Sequence, residues 1–523
     1  MSSSETPDDP PEEGHGKGPH PEPAERAESR IRTFTLVAMC LAQFMIMLDV
    51  TIVNIALPSM QRELHLDNSG LEWIISAYAL SLAALIPFGG ALGDRYGRKR
   101  WFLIGLVVFT IGSIGCALST SSTALVLCRA VQGLGGALMV TLTLSIVTLA
   151  FPPTRRAKAI GVWGSLGGLG FGMGPLAGGL LLSRFSWEAV FWVNVPIGLV
   201  TLYFTLRFVR ESPRVFEGSL DVPGLVLTGL GLVGIAYGLI TASSHSWTYP
   251  VVLPSLIVGI LLLFVFVRWE RVAPSPMMPL GLFRSLGFVT GIFAYFFNFL
   301  ALTGGMFYMT LMYQNVKGWA VLPTGLTWLF MNIPFVVSAQ YADWLNRRLP
   351  AAGIITIGAV IEALGTLLLS MVTAGTPLPL TLAGFFCLGL GPGIMIPTAT
   401  HLAMSDAPAA FAGSASSVLN ASRQIGSSVG LAVLGAIGAL VTGRHWASTV
   451  GGMPDEVQAE ASSLLPSVVG GRISNVGSVL GDSARGAAVD AFTAGSHVAL
   501  LVATACMVVC TLIALHALRR RRV

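Results

Sequence analysis

The sequence predicts an all-α, polytopic membrane protein, and three observations carry that prediction. Hydrophobic residues make up 53% of the 523, and charged residues only 11%, against about 25% charged in soluble globular domains. Mean hydropathy is accordingly high, +0.73. Apolar runs of bilayer-crossing length recur along the chain. Between those runs the basic residues alternate in density from one connection to the next, as orientation in a membrane requires.

Residues 1–32 are rich in Pro, Glu and Ser with little to bury, which predicts a disordered cytoplasmic tail. No basic start leads into a short apolar core, so the stretch does not read as a signal peptide. Fourteen candidate spans follow, near 34–57, 73–93, 101–120, 123–148, 159–182, 189–209, 222–242, 250–268, 286–314, 321–341, 352–373, 378–399, 414–441 and 495–518.

With the amino terminus inside, the inner connections hold Arg95, Arg98, Lys99 and Arg100, then Arg155, Arg156 and Lys158, then Arg207, Arg210 and Arg214. Later ones hold Arg268, Arg271 and Arg284, then Arg347 and Arg348, and residues 519–523 are basic. The outer connections carry few basic residues until 443–494, a long Ala/Gly/Ser-rich loop with Arg444, Arg472 and Arg485. Long loops translocate regardless of charge. The pattern predicts a multi-pass cell-membrane protein with both termini cytoplasmic. Val457–Val469 reads as short amphipathic helices on the outer surface.

The net charge of +5 is spread along the chain, which argues against nucleic acid as a partner. Six cysteines lie in apolar segments without metal-ligand spacing, and His245, His401 and His445 are scattered, so no metal or cofactor site is expected. The chain does not read as an enzyme. No Gly-rich phosphate loop ending in Lys-Ser/Thr is present for ATP. An ion gradient is the expected energy source.

Charged residues inside apolar spans are functional candidates by default. Asp49, in LDVTIVNIALP, falls in the outer half of the first span. Arg129, in LVLCRAVQGLGGALM, falls at a comparable depth of the fourth. The two either pair or are coupled through water or Gln132, and a purely structural ion pair is the alternative. Glu362 lies about ten residues into its span, near the midplane at about 1.5 Å per residue. It is a candidate for exchanging protons or holding a cationic drug, and otherwise a protonated carboxyl bonded to a neighbouring helix.

Two glycine-bearing motifs complete the set. GALGDRYGRKRWF joins spans two and three, and Gly90, Asp94 and Gly97 exceed what a basic loop alone needs. An acid there is able to bind the positive amino terminus of another helix. GSLGGLGFGMGPLAGGLLL, residues 164–182, surrounds Pro175 with eight glycines. Gly and Pro are tolerated in a span where neighbouring helices support the backbone, so the stretch reads as a tight crossing or as a bend between two rocking halves. For a pocket, Phe296, Phe297, Met306, Tyr308 and Tyr313 of span nine, with Glu362, offer aromatic and flexible apolar surface; lipid-facing or core packing is the other reading. Arg423 and Gln424 are expected to be structural.

Gly90-x-Leu92-x-Asp94-x-x-Gly97-Arg98-Lys99 resembles the signature loop of the major facilitator superfamily, and Arg129-x-x-Gln132-Gly133 its fourth-helix motif. Gly170-x-x-x-Gly174-Pro175-x-x-Gly178-Gly179 resembles the fifth-helix motif of its proton-coupled exporters. LDVTIVNIALP resembles the first-helix motif of its fourteen-span drug:proton antiporters. FWVNVPIG, Phe191 to Gly198, also fits.

The resemblance implies a major facilitator fold. Six-helix bundles would span 33–210 and 272–518, and two inserted helices 211–271. It implies a conformational latch at Gly90, Asp94, Gly97 and Arg98, with Asp94 engaging the helix that begins near Ser414, Ser416 and Ser417. It implies a gate and hinge at Gly170, Gly174, Pro175, Gly178 and Gly179, and proton coupling through Asp49, Arg129 and Glu362. The expected activity is proton-coupled efflux, by a monomer, of small lipophilic or cationic drugs or antibiotics. A facilitator-type importer or a non-transporting sensor are the alternatives. The second bundle's counterpart loop, QYADWLNRRLP, keeps Asp343, Arg347 and Arg348 but lacks the glycines, so a second latch is doubtful there.

Overall fold

Thirteen helices long and apolar enough to cross a membrane run through the described residues. The computed structural model describes residues 23–64, 68–212, 220–244, 247–453 and 455–520. Residues 1–22 of the expected tail, Arg214, His245 and residues 521–523 of the basic end lie outside them.

The first bundle comprises α1 (Pro23–Glu63), α2 (Asn68–Tyr96), α3 (Arg98–Ala117), α4 (Ser122–Ala150), α5 (Pro153–Leu182), and the broken sixth span, α6 (Ala189–Trp192) with α7 (Asn194–Phe208). The inserted pair is α8 (Val222–Ser244) and α9 (Val252–Glu270). The α8 helix packs against α2, and α9 packs chiefly on α8.

The second bundle runs through α10 (Leu286–Leu311), α11 (Val321–Thr327), α12 (Leu329–Gln340), the short α13 (Ala342–Asn346), α14 (Ala351–Ser370), α15 (Leu378–Asp406), α16 (Ala412–Val429) and α17 (Gly435–Val450). It ends with α18 (Asp455–Ser463), α19 (Leu465–Val469) and α20 (Ile473–Arg520). The two bundles meet where α2 and α4 pack on α16, and where α5 packs on α11, α12 and α15.

Local chemistry sets several ends. Ser121 caps α4 by accepting from the Ala124 N–H at 3.3 Å, and Ser285 caps α10 by accepting from Phe288 at 3.2 Å; such caps satisfy an amide that the first turn leaves open. Pro153 opens α5, where its missing N–H costs nothing.

Three features depart from the sequence reading. The first helix begins at Pro23, inside the stretch read as a disordered tail, and an Arg32–Glu28 pair at 2.5 Å supports its exposed turn. The tenth span is divided at Trp328, where the Trp328 N–H reaches the Gly325 carbonyl and Met331 reaches Trp328, both three residues back. That tightening, with Asn332 Nδ2 donating to the Trp328 carbonyl at 3.0 Å, separates α11 from α12. It also explains thirteen long helices where fourteen spans are expected.

The outer segment 443–494 is largely helical, from the end of α17 through α18 and α19 into α20. Its alanines favour helix. Trp446, Val468, Ile473 and Ala484 are buried, and Trp446 Nε1 donates to the Ala461 carbonyl at 2.9 Å. Val457–Val469 accordingly falls in two short helices. A bend at Gly481, φ +83°, divides α20, a conformation open to glycine without strain.

Candidate functional site

Asp49 of α1 is fully buried, and every atom that could neutralise it comes from another helix. Arg129 Nη1 of α4 donates to Oδ2 at 2.7 Å. Oδ1 accepts from Gln132 Nε2 at 2.8 Å and from Asn194 Nδ2 at 2.9 Å. Arg129 Nη1 also reaches Gln132 Oε1 at 2.7 Å, its Nε reaches the Ile74 carbonyl at 3.3 Å, and its guanidinium lies 4.2 Å from the Tyr78 ring centroid.

Arg129 and Gln132 are three apart on one helix, so they share a face. The spacing read from sequence therefore delivers both the cation and the amide to one carboxylate. Asn194 is a member the sequence reading left without a role; a lone asparagine in an apolar run was its signal. Ser113 orients it by accepting from Asn194 Nδ2 at 3.1 Å.

The signature loop forms a cross-bundle cluster. Asp94, at the end of α2, accepts from the backbone N–H groups of Gly413 and Ser414, each at 2.8 Å, and lies 3.0 Å from Ser414 Oγ. The carboxylate thus sits on the amino-terminal turn of α16, where the helix dipole favours a negative charge. Arg98 holds Asp94 at 2.6 Å and donates to the Ala409 carbonyl at 2.9 Å.

Gly90 permits this approach, because a Cβ there would come within 2.5 Å of the Gly413 carbonyl oxygen. Ser416 and Ser417 extend the seam, donating to the Thr141 and Ile86 carbonyls at 2.7 and 2.9 Å. Gly97 takes φ +106° before α3. There the Glu211 carboxylate accepts from the Lys99 and Arg100 N–H groups, both at 3.0 Å. Glu211 went unread because a loop acid carries no periodic signal.

The glycines of α5 serve two faces. On one, a Cβ at Gly170 would lie 2.5 Å from the Phe44 carbonyl oxygen, one at Gly174 3.0 Å from the Ile52 amide nitrogen, and one at Gly178 3.1 Å from Ile55 Cβ. These positions, spaced four apart, seat α5 directly on α1. On the other face, a Cβ at Gly161 would lie 2.7 Å from the Ala339 carbonyl oxygen, and Pro175 approaches Gly325 of the second bundle.

The α5 helix continues unbroken across Pro175. Proline there deprives the Phe171 carbonyl of its usual donor; Thr51 Oγ1 of α1, 3.0 Å away, supplies one. Gly179 has no neighbour within 4 Å of its would-be Cβ, so close packing does not account for it.

A cavity lies between the bundles, walled by α1, α5, α10, α12, α15 and α16. The α10 side chains facing it are Tyr295, Asn298, Phe299 and Leu302, a stripe at i, i+3, i+4 and i+7. The pocket residues read from sequence are elsewhere. Phe296 packs edge-on against Phe297, which stacks on Phe293, off that stripe. Met306 is buried in the core. Tyr308 donates to the Leu434 carbonyl at 2.9 Å, in the wide turn Gly430–Leu434, and Tyr313 packs against Trp319.

Glu362 does not line the cavity either. It is fully buried behind the wall, where Oε1 accepts from Asn298 Nδ2 at 2.8 Å and Oε2 has no partner among the described residues. Arg423, read as structural, faces the cavity.

The counterpart loop of the second bundle makes no comparable cross-bundle cluster. Asp343 pairs with Arg347 one turn away on its own chain at 2.8 Å, and that arginine is largely exposed.

Two helical bundles closed over a central cavity, with buried polar clusters at their interfaces, define a polytopic carrier-type architecture. Comparison with known proteins makes this specific: the profile of the Major Facilitator Superfamily matches residues 39–431, and the chain belongs to that family of membrane transporters.

It is 34% identical over 495 residues to "Multidrug resistance protein Stp" of Mycobacterium tuberculosis, covering 92% of this chain and 91% of that one. Identity is again 34% to the "Tetracenomycin C resistance and export protein" of Streptomyces glaucescens, over 83% of this chain and 79% of the relative. Among solved structures, the human organic anion transporter MFSD10 superposes with a TM-score of 0.61 at 14% identity, covering 93% of this chain and 99% of that one. The proton:xylose symporter XylE gives 0.61 at 13%, covering 93% and 95%. These two bear on the fold alone.

Proposed function

We propose that this chain exports small lipophilic drugs or antibiotics across the cell membrane by alternating access, in exchange for protons moving inward. Residues 33–210 and 272–518 are the two rocking bundles, 211–271 the inserted pair, and both termini are cytoplasmic. The working unit is a monomer, without catalysis, cofactor or metal. The relatives named for drug and antibiotic resistance, a third identical over most of this chain, support export as the direction.

Each cluster has a part in the cycle. Asp94, Arg98, Gly90 and Gly97 latch the cytoplasmic side, since their bonds to the start of α16 exist only while the bundles are together there. Gly170, Gly174 and Gly178 hold α5 on α1 as one unit, its other face, with Pro175, guides the opposite side against α11 and α12, and Gly179 leaves its end free to flex. Asp49 and Arg129 form a pair that protonation of the carboxylate would loosen, altering the packing of α1 on α4.

Glu362 is the main proton carrier. No cation faces it among the described residues, and a buried carboxylate without one is costly, so gain and loss of a proton is the change it accommodates. The observation that carries the reading is the 2.8 Å bond from Asn298 to Glu362. Asn298 itself lines the cavity, so a drug displacing that amide reaches the acid in one step. A ligand shifts a conformational balance only through differential contacts with the two states, and this bond supplies one.

The test is proton flux in proteoliposomes under an imposed pH gradient. Addition of a transported drug should release protons in the parent protein and leave empty vesicles silent. A protein that takes up solute in the direction of proton entry would mark an importer, and one that moves neither would mark a sensor.

A further inference from the structure

We propose that the central cavity selects lipophilic aromatic anions, with Arg423 binding the anionic group and Gln43 accepting a hydrogen bond from a hydroxyl on the same molecule. This rests on reading the cavity as the export site, and it departs from the cationic drug expected from sequence.

The charge inventory of the cavity carries the argument. Among its lining residues Arg423 is the one charged side chain; no Asp, Glu or Lys faces it. A guanidinium offers five donors, yet the partners of this one are the Met47 Sδ at 3.3 Å and the face of Phe299, 5.6 Å from the ring centroid. Thioether sulfur is a weak acceptor. No carboxylate pairs with Arg423 among the described residues.

Beyond Met47, Phe171 and Phe299 lies a second chamber reached by both Arg423 and Arg129. Arg129 is already neutralised by Asp49. The uncompensated charge therefore belongs to Arg423 alone, at the junction of the two chambers. An organic cation would find a like charge and no acid among the lining side chains, Glu362 lying behind Asn298; an anion would complete the guanidinium.

A second observation fixes the ligand's other end. Gln43 lines the same cavity, is 3% exposed, and its Oε1 has no hydrogen-bond partner among the described residues. It lies one turn before Met47 on α1, about 6 Å along the axis. An acceptor without a donor and a cation without an anion thus face the same cavity, the cation resting on Met47 one turn along α1 from Gln43. The walls between them are Trp163, Phe171, Phe299 and Phe335, which suit a flat aromatic body. A fused-ring aromatic acid with a phenolic hydroxyl matches all three features.

The test is equilibrium binding to the full chain in lipid nanodiscs, using a dihydroxyanthraquinone carboxylate, its methyl ester, and ethidium. The parent should bind the carboxylate at least tenfold more tightly than the ester, with ethidium weakest, in line with a charge-assisted hydrogen bond. Arg423→Gln should bring the carboxylate-to-ester ratio close to one, and Arg423→Lys should restore most of it. Gln43→Leu should weaken both forms severalfold and leave their ratio unchanged, because the hydroxyls are common to both.

Thermal unfolding of each variant near the parent's midpoint confirms a folded cavity. Because the ratio is measured within one protein, partial loss of active material does not alter it. Equal affinity for ester or ethidium in the parent, or a ratio that survives Arg423→Gln, overturns the proposal. Carboxylate binding that depends on Arg423 without pH-driven movement in proteoliposomes would sink the export reading and keep this one. Ethidium export with no preference for the carboxylate would do the reverse.

Discussion

Asp49 and Glu362 are equally buried, each at 0% exposure, yet their surroundings are opposite. Asp49 is held by a guanidinium and two amides from α4 and α7. Glu362 has one amide on one oxygen and nothing on the other. Burial alone therefore does not assign a role to an intramembrane acid; the partner set does. A carboxylate locked by a cation joins helices together, whereas one lacking a cation is free to change its proton with the cycle.

The largest expected effect separates the two directly. Arg129→Met leaves the Asp49 carboxylate buried and unpaired, which should cost about 3–5 kcal/mol of stability. Asp49→Asn strands the guanidinium at comparable cost, and the double variant should cost less than the sum of the two. Thermal unfolding in one detergent reads all three. An additive double variant would mean the pair contributes no coupling.

The two carboxylates at the connecting loops come next. Asp94→Asn removes the charge and one of the two oxygens that accept bonds across the bundles, and should cost about 1.5–3 kcal/mol. It should also raise the accessibility of a cysteine introduced at the cytoplasmic face of the seam. Asp343→Asn removes a pair within the second bundle whose arginine is largely exposed, and should stay within about 0.5 kcal/mol. Equal effects would erase the asymmetry between the halves.

Thr51→Val tests the support of Pro175. Loss of the bond to the Phe171 carbonyl should destabilise by about 0.5–1.5 kcal/mol and alter transport rate more than drug affinity. Glu362→Gln should also cost little, below about 1 kcal/mol, since the amide keeps one acceptor for Asn298 and forfeits no ion pair. A loss as large as that of Asp49→Asn would break the comparison.

Much of this architecture was legible in the sequence, because a bilayer imposes length, polarity and charge asymmetry on every span. Asp49 with Arg129 is readable because charge inside an apolar run demands a partner; the residues show that Asp94 suits a helix amino terminus, and the family resemblance points to the start of α16 as that terminus. The cavity wall was not. Depth along a helix follows from counting residues, but azimuth does not when most positions are apolar. Phe296 and Phe297 were chosen for their type, while the neighbouring stripe Tyr295, Asn298, Phe299 and Leu302 faces the cavity; Asn298, the polar member of that stripe, was the available signal.

Arg423 is hard to place for a related reason. Its position near the inner end of a span suggests a structural cation, and only the three-dimensional packing shows it facing the cavity with no paired acid among the described residues. The outer segment 443–494 was read as a loop because of its Gly and Ser, although its alanines and the buried Trp446 hold it as helix.

The measurement that tests the central claim most directly is a pair of transport assays on Glu362→Gln in proteoliposomes, with the same drug in both. One follows uphill movement driven by a pH gradient, the other drug-for-drug exchange with no gradient. If Glu362 carries the coupled proton, the variant should lose gradient-driven transport by at least tenfold while exchange continues near the parent's rate. Gradient-driven transport and proton release at parental levels in Glu362→Gln would contradict the account and move the proton to Asp49.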